Sequence, residues 1–447
     1  MCGDLSAPPS SGWIVRRAPR QDPCRGAGRQ SSFQYPAAVK AILKERPSEG
    51  REWKKGLSLE ECPAPVIKKS SEAKIRIVAG AICGTDGAIY DSRDSLRREM
   101  LKADKPKIVL GHEFCGRLAD AGTEAREIIA RLVIRHGEGD TIVGKFIARR
   151  DAALLSKDPH LIEFAGEHFY ASAEMHVTDG TCYQCRLGER HVCQHTVIKG
   201  VHDDGAFTDE LVVPAENLVL FRNGEIPPEI IAFMDALGNA THTVQSVPAR
   251  GKTIAVLGCG VQGLMATAVA KAEGAKAIFV TDASHADFTH DKLLATRFRL
   301  ARAYGADACF DVSLPEEHRA FIDRVMRETS KTGVDAVYEM SGNYNAYEDA
   351  FRVVRMGGAI SLLGLPSGTM QMDFARDVIF RGVTIHGIIG RRVFQTWDLM
   401  RQLLKQGLAQ KFVSTGFVTH DLPLGKFEDR FAALRSGDGL KVLLRPR

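Results

Sequence analysis

Residues 252–263 read KTIAVLGCGVQG, and what flanks this run decides the fold. TIAVL is an apolar stretch of strand length, GLMATAVAKAEGA spaces its apolar residues as an amphipathic helix, and KAIFVTD at 276–282 is a second strand. Gly258, Gly260 and Gly263 make a G-x-G-x-x-G turn between strand and helix. The first glycine permits the tight turn, the second lets backbone approach a pyrophosphate, and the third lets helix and strand pack closely. Val261 opens the helix, whose N-terminal N–H groups and partial positive charge suit phosphate. Gly258, Gly260, Val261 and Gly263 are therefore the expected cofactor cradle. Asp282, 24 residues beyond Gly258, ends the second strand and is placed to accept hydrogen bonds from ribose hydroxyls. It would repel a 2′-phosphate, and Ala283 and Ser284 bring no cation beside it, so NAD is expected rather than NADP. Arg297 and Arg299 come only after a stretch, 284–296, that reads as an insertion.

Outward from this unit the alternation continues through DAVYEMS, AYEDAFRVVRMGG, AISLLGL and VTIHGII. Strands alternating with helices predict a doubly wound parallel sheet over residues 241–390. Upstream, from Lys40 to Phe221, short β-type runs such as AVKAIL and KIRIVAGAI are separated by Pro and Gly turns, which predicts a mostly-β domain over 37–240. Within it, residues 125–165 mix a helical run, AREIIARLVIRH, with charged stretches and read as a surface insertion. Residues 391–447 are expected to return to the first domain, and residues 1–36, without periodicity, read as a disordered or targeting tail.

A hydrophobic fraction of 44% with 26% charge is ordinary for a chain that buries a sizeable core. The net charge of +5 over 447 residues is slight, and no basic-aromatic stripe suggests nucleic acid. No run is long and apolar enough to predict a membrane span. Without a secretory signal, the clustering of Cys182, Cys185 and Cys193 reads as metal binding in a reducing, cytoplasmic compartment.

In DGTCYQCRLGERHVC, at 179–193, Asp179, Cys182, Cys185 and Cys193 are spaced by 3, 3 and 8 residues. Two short pitches let a loop wrap a tetrahedral ion, with the last ligand arriving from the next turn. Three thiolates and a carboxylate would close the site, as structural zinc requires; His191 and His195 are possible substitutes at less favourable spacing. The alternative is three unliganded cysteines and a loop aspartate. A second set is dispersed: Cys83 in AICGTD, His112 and Glu113 in LGHEF, Asp235 in FMDALGN. One thiolate, one imidazole and carboxylates could hold zinc with a position open for substrate, but spacing alone leaves open that these are a packed thiol and an ordinary buried histidine.

AICGTD, GHE, the cysteine-rich lobe, GAF at 205–207 and LGCGVQG, in that order, resemble the zinc-containing medium-chain dehydrogenase/reductase family. FMDALGNATHT, VYEMSG, IHGIIGRRVFQTW and ALRSGDGLKVLL are similar to its threonine-oxidising subgroup. The resemblance covers roughly residues 38–447. It implies a GroES-like catalytic domain plus a Rossmann domain, two zinc ions per subunit, and a homo-oligomer such as a tetramer. It makes Cys83, His112 and Asp235 catalytic zinc ligands and Glu113 a carboxylate that enters or leaves the shell. Thr85 corresponds to the hydroxyl that relays the alcohol proton, and His176 to a histidine near the substrate. Two positions depart from the family pattern: Ala88 stands where a relay histidine is usual, and Asp179 where a cysteine is. The expected reaction is NAD-linked oxidation of a small secondary alcohol, with threonine foremost. Another polyol or amino-alcohol substrate, a zinc-free NADPH-dependent reductase and a non-catalytic nucleotide-binding role are the alternatives.

Overall fold

The computed structural model describes residues 38–148, 151–429, 431 and 439–446; the segment read as a tail lies outside the described residues. The glycine-rich turn belongs to a six-stranded parallel sheet. Thr253–Leu257 lies within it, with Ala277–Asp282 and then Ala308–Asp311 on one side. On the other side come Val334–Glu339, Val354–Leu362 and Thr384–Gly387. Alternate residues of the first strand feed opposite cores. Ile254 and Val256 pack with Leu264, Met265 and Ala268 of the helix Val261–Ala272. Ala255 and Leu257 pack with Phe321, Val325 and Ala350 from the helices Pro315–Glu328 and Tyr344–Val353. A strand buried on both faces must be apolar throughout, which is why TIAVL does not alternate. Strand order reverses beside Thr253–Leu257, so a crevice opens at the carboxyl ends of the strands there.

The remaining strands make a seven-stranded sheet, a three-stranded one and a two-stranded pair, His176–Val177 with Val197–Ile198. Glu72–Ala81 is central to the larger, pairing with Phe114–Ala121, Glu210–Pro214 and the late strand Lys441–Arg445. Leu443 stands opposite Ala81, two residues before Cys83, so the end of the chain is brought to the start of AICGTD. The helix Met234–Ser246 leads from this part toward the parallel sheet and packs on Val261–Ala272 and Gln395–Leu403.

The segment read as a surface insertion is not an appendage. Its run forms the helix Thr123–Gly137, which buries Ala125, Ile129, Ala130 and Val133. These join Ile75, Leu118, Phe169 and Leu220 of the β-sheet in one core. The run's four-residue apolar spacing supplies one face wide enough to cover a sheet. The stretch 284–296 is likewise packed: Phe288 and Leu293 are buried. No helix among the described residues is long and apolar enough to cross a membrane.

Candidate active site

Cys83 caps the short helix Gly84–Tyr90, and its N–H donates to Asp86 Oδ2 at 2.8 Å. His112 and Glu113 follow Gly111, whose φ of +94° and closeness to the Phe207 ring (2.5 Å from an added Cβ) leave room for glycine alone. The side-chain donor atoms of Cys83, His112 and Glu113 all lie within 4.8 Å of one another. Behind them are two charged partners. Asp86, fully buried, sets Oδ1 3.5 Å from His112 Nδ1. Lys441, on the late strand, ion-pairs with Glu113 and donates to the Ile82 carbonyl at 3.0 Å. Burial alone would lower the His112 pKa, but the Asp86 carboxylate and Cys83 sulfur outweigh it and hold it well above its usual value. Burial pushes the Glu113 carboxyl up against the pull of Lys441 and His112. Glu113 Oε1 is buried without a hydrogen-bond partner. A sulfur, an imidazole and a carboxylate oxygen left unsatisfied at one point fit a zinc ion.

Asp235 is not part of that group. Its Oδ1 lies 2.8 Å from Arg391 Nη2, and Arg391 is 1% exposed. The guanidinium also ion-pairs with Glu174 and donates to Asn239 Oδ1 at 3.2 Å. Trp397 Nε1 completes the shell of Glu174 at 2.9 Å. Asp235 thus serves a buried clamp beside the metal cluster, and its charge is still felt at Glu113. Nothing in FMDALGN reveals that an arginine from IIGRR will claim the carboxylate.

His176 is partly buried next to the clamp. Its N–H donates to Glu174 Oε1 at 3.1 Å, and its ring lies 2.9 Å from where a Cβ on Gly390 would sit. Burial, with Arg391 adding, lowers its pKa to about 4, so the ring is neutral near pH 7. Thr85 lies in the first turn after Cys83, partly exposed. Ala88 sits on the same helix and offers no proton acceptor.

The four lobe residues also converge: donor atoms of Asp179, Cys182, Cys185 and Cys193 lie within 4.8 Å of one another. The three cysteines form a buried cluster of their own, separate from the apolar cores. Asp179 Oδ1 accepts from the Thr181 and Cys182 N–H groups at 2.9 and 3.0 Å, and lies 3.5 Å from Cys193 Sγ. His195 takes the other oxygen at 2.5 Å. That hydrogen bond first, then the backbone donors, holds the Asp179 carboxyl well below the usual range. His195 is therefore a partner of Asp179 and not its substitute. Three sulfurs and an oxygen again fit zinc, here without a free corner.

In the cofactor cradle each glycine has its own reason. A Cβ on Gly258, at φ +96°, would come within 2.8 Å of Ser341; one on Gly263 would come within 1.8 Å of the Gly258 carbonyl. A Cβ on Gly260 would meet nothing within 4 Å, because that face opens on the crevice. Val261 begins the helix, whose first turn has no side-chain cap. Asp282 has a neighbour that spacing hid: Arg297 Nη1 lies 2.8 Å from Oδ2. The guanidinium stacks 4.3 Å above Phe288, so the stretch 284–296 folds this arginine back onto the acid.

The sequence matches two family profiles, an alcohol dehydrogenase GroES-like domain over residues 69–223 and a zinc-binding dehydrogenase domain over 262–406. It is 34% identical to an L-threonine 3-dehydrogenase of Bacillus velezensis, over 88% of this chain and 96% of that one. With one of Pyrococcus horikoshii the identity is also 34%, over 90% and 97%. Among solved structures, an alcohol dehydrogenase from Thermus sp. ATN1 shares the fold, with a TM-score of 0.68 and 24% identity over 91% of this chain and 99% of that chain. Galactitol-1-phosphate dehydrogenase from Escherichia coli does so too, with a TM-score of 0.69 and 20% identity over 91% and 100%. The chain belongs to the zinc-binding alcohol dehydrogenases, enzymes with a GroES-like domain joined to a Rossmann domain.

Proposed function

We propose that the chain oxidises a small secondary alcohol, L-threonine foremost, and passes hydride to NAD, giving 2-amino-3-oxobutanoate from threonine. The observation that carries this is the convergence of Cys83, His112 and Glu113 at one buried point, in a chain a third identical to L-threonine 3-dehydrogenases over most of its length. When bound, zinc supplies Lewis acidity toward a substrate hydroxyl and nicotinamide supplies the hydride-accepting carbon. The chain's own residues do the rest. Cys83, His112 and Glu113 hold the ion, with Lys441 and Asp86 fixing two of them from behind. Thr85 relays the hydroxyl proton, its oxygen accepting it as its own proton leaves, and with Ala88 in the next turn the final acceptor is water. His176, neutral and with its backbone anchored on Glu174, donates or accepts a hydrogen bond to the substrate. Asp235 stays on Arg391 and keeps the clamp rigid.

A second zinc in the lobe, NAD in preference to NADP, and a cytoplasmic setting belong to the same reading. For NAD the support is the Asp282 carboxylate at the ribose end, with Arg297 already engaged. The division at about residues 240 and 390 follows sheet membership: the strands between them make the parallel sheet, and Val418–Pro423 and Lys441–Arg445 join the seven-stranded one. For a homo-oligomer such as a tetramer, the support is the edge strand Thr384–Gly387, near which Leu365, Phe374, Ile379, Phe380 and Ile389 are exposed. The test is NADH formation by zinc-loaded protein against a panel of threonine, other amino alcohols and polyols, with Cys83→Ser as control. Turnover of threonine above the rest is expected; a silent panel would refute the reading.

A further inference from the structure

Glu339 ends the strand Val334–Glu339, which neighbours Thr253–Leu257 in the parallel sheet, and it is 0% exposed. Among the described residues no cation pairs with it; its carboxylate is wrapped by neutral donors instead. Ser341 donates its N–H at 2.8 Å and its hydroxyl to Oε1, and the Gly342 N–H reaches Oε1 at 3.0 Å and Oε2 at 3.3 Å. Both oxygens accept and neither donates, which is the pattern of an anion. Burial raises its pKa, and the Ser341 and Gly342 hydrogen bonds oppose that rise. A buried carboxylate without a counter-ion lowers stability, and such groups gather at functional sites.

Its place gives the reason. The Met340 N–H donates to the Leu257 carbonyl at 2.8 Å, and Ser341 abuts Gly258. The Glu339 carbonyl accepts from Leu363 and Gly364 N–H groups at 3.0 and 3.2 Å. Glu339 therefore ties together the loops leaving two adjacent strands on the far side of the strand-order reversal from Asp282. A dinucleotide whose adenosine half runs to Asp282 lays its other half over these two loops. That half carries the nicotinamide, which is cationic when oxidised and neutral when reduced.

We propose that Glu339 is the fixed counter-charge of the oxidised nicotinamide, a positioning residue that makes this chain favour the cationic form of its cofactor over the reduced one. This rests on the nicotinamide-dependent reading above. The test is calorimetric titration of the zinc-loaded full chain, and of Glu339→Gln, with NAD+, NADH and ADP-ribose. The substitution is expected to weaken NAD+ by about fivefold or more while NADH and ADP-ribose move less than about twofold, because only the first loses a charge–charge attraction. Glu339→Asp, which keeps the charge, should restore the NAD+ to NADH ratio. Equal weakening of all three ligands, or an unchanged NAD+ to NADH ratio, overturns the proposal. If Glu339→Gln does not fold, Ser341→Ala, which strips the carboxylate of a donor, must lower the same ratio or the proposal fails. Wild-type protein that binds none of the three would instead refute the cofactor reading itself.

Discussion

The two metal clusters are built in opposite ways. The lobe takes its ligands from one stretch, 179–193, and has no core of its own beyond its three cysteines. The catalytic cluster draws Cys83 from a helix cap and His112 and Glu113 from beside a glycine turn, with Lys441 arriving from the last strand. Little else is buried in the lobe, so an ion bound there would hold its backbone. The catalytic cluster stands on sheets already closed by three apolar cores and only needs its charges balanced. On the proposed reading a metal folds the first and the fold prepares the second.

Removing one ligand from each should separate these roles. Cys83→Ser is expected to lower alcohol-dependent NADH formation by roughly 10³-fold, about 4 kcal/mol of barrier. The protein should stay folded and lose one metal equivalent of two, read by elemental analysis. Cys185→Ser should also lose one equivalent, but with a fall in melting temperature of roughly 5 °C or more. A stable, fully folded lobe without its ion would break the comparison.

Lys441→Met probes the charge balance. In metal-free protein it leaves Glu113 with only His112 to offset its charge, and urea unfolding should show a loss of about 3–5 kcal/mol. Zinc loading should recover part of it, since the ion replaces the missing positive charge. A remote histidine gives the smallest effect and the control. Burial, reinforced by Arg401, lowers the His136 pKa to about 3. The unfolded chain takes up that proton below about pH 6.5 while the folded chain does not, so stability is lost as pH falls from there toward about 3. The loss is about 2–4 kcal/mol at most. His136→Gln should remove this part of the acid sensitivity and leave both metal sites unchanged.

Legibility in the sequence followed the same division. The glycine turn could be read because one turn does three local jobs, and the meeting of the lobe's side chains because they are neighbours in sequence. The parallel sheet followed from alternation alone. Partners separated by long stretches of chain were not legible. Arg391 on Asp235 and Arg297 on Asp282 each change what a carboxylate can do, and no local pattern announces either pairing. Residues 125–165 misled for another reason: charges on the solvent face of Thr123–Gly137 hid an apolar face that completes a core. Glu339 sat inside a quoted motif, VYEMSG, without any sign that its carboxylate would be sealed from water.

Arg391 has a mechanical consequence. Its guanidinium joins Glu174, just past the strand Phe169–Ala173, to Asp235 at the head of the helix that leads to the parallel sheet. Sliding these two elements apart would strand a buried cation between two buried anions. Any opening and closing of the crevice therefore has to carry these two elements as one piece, like two boards held by one bolt.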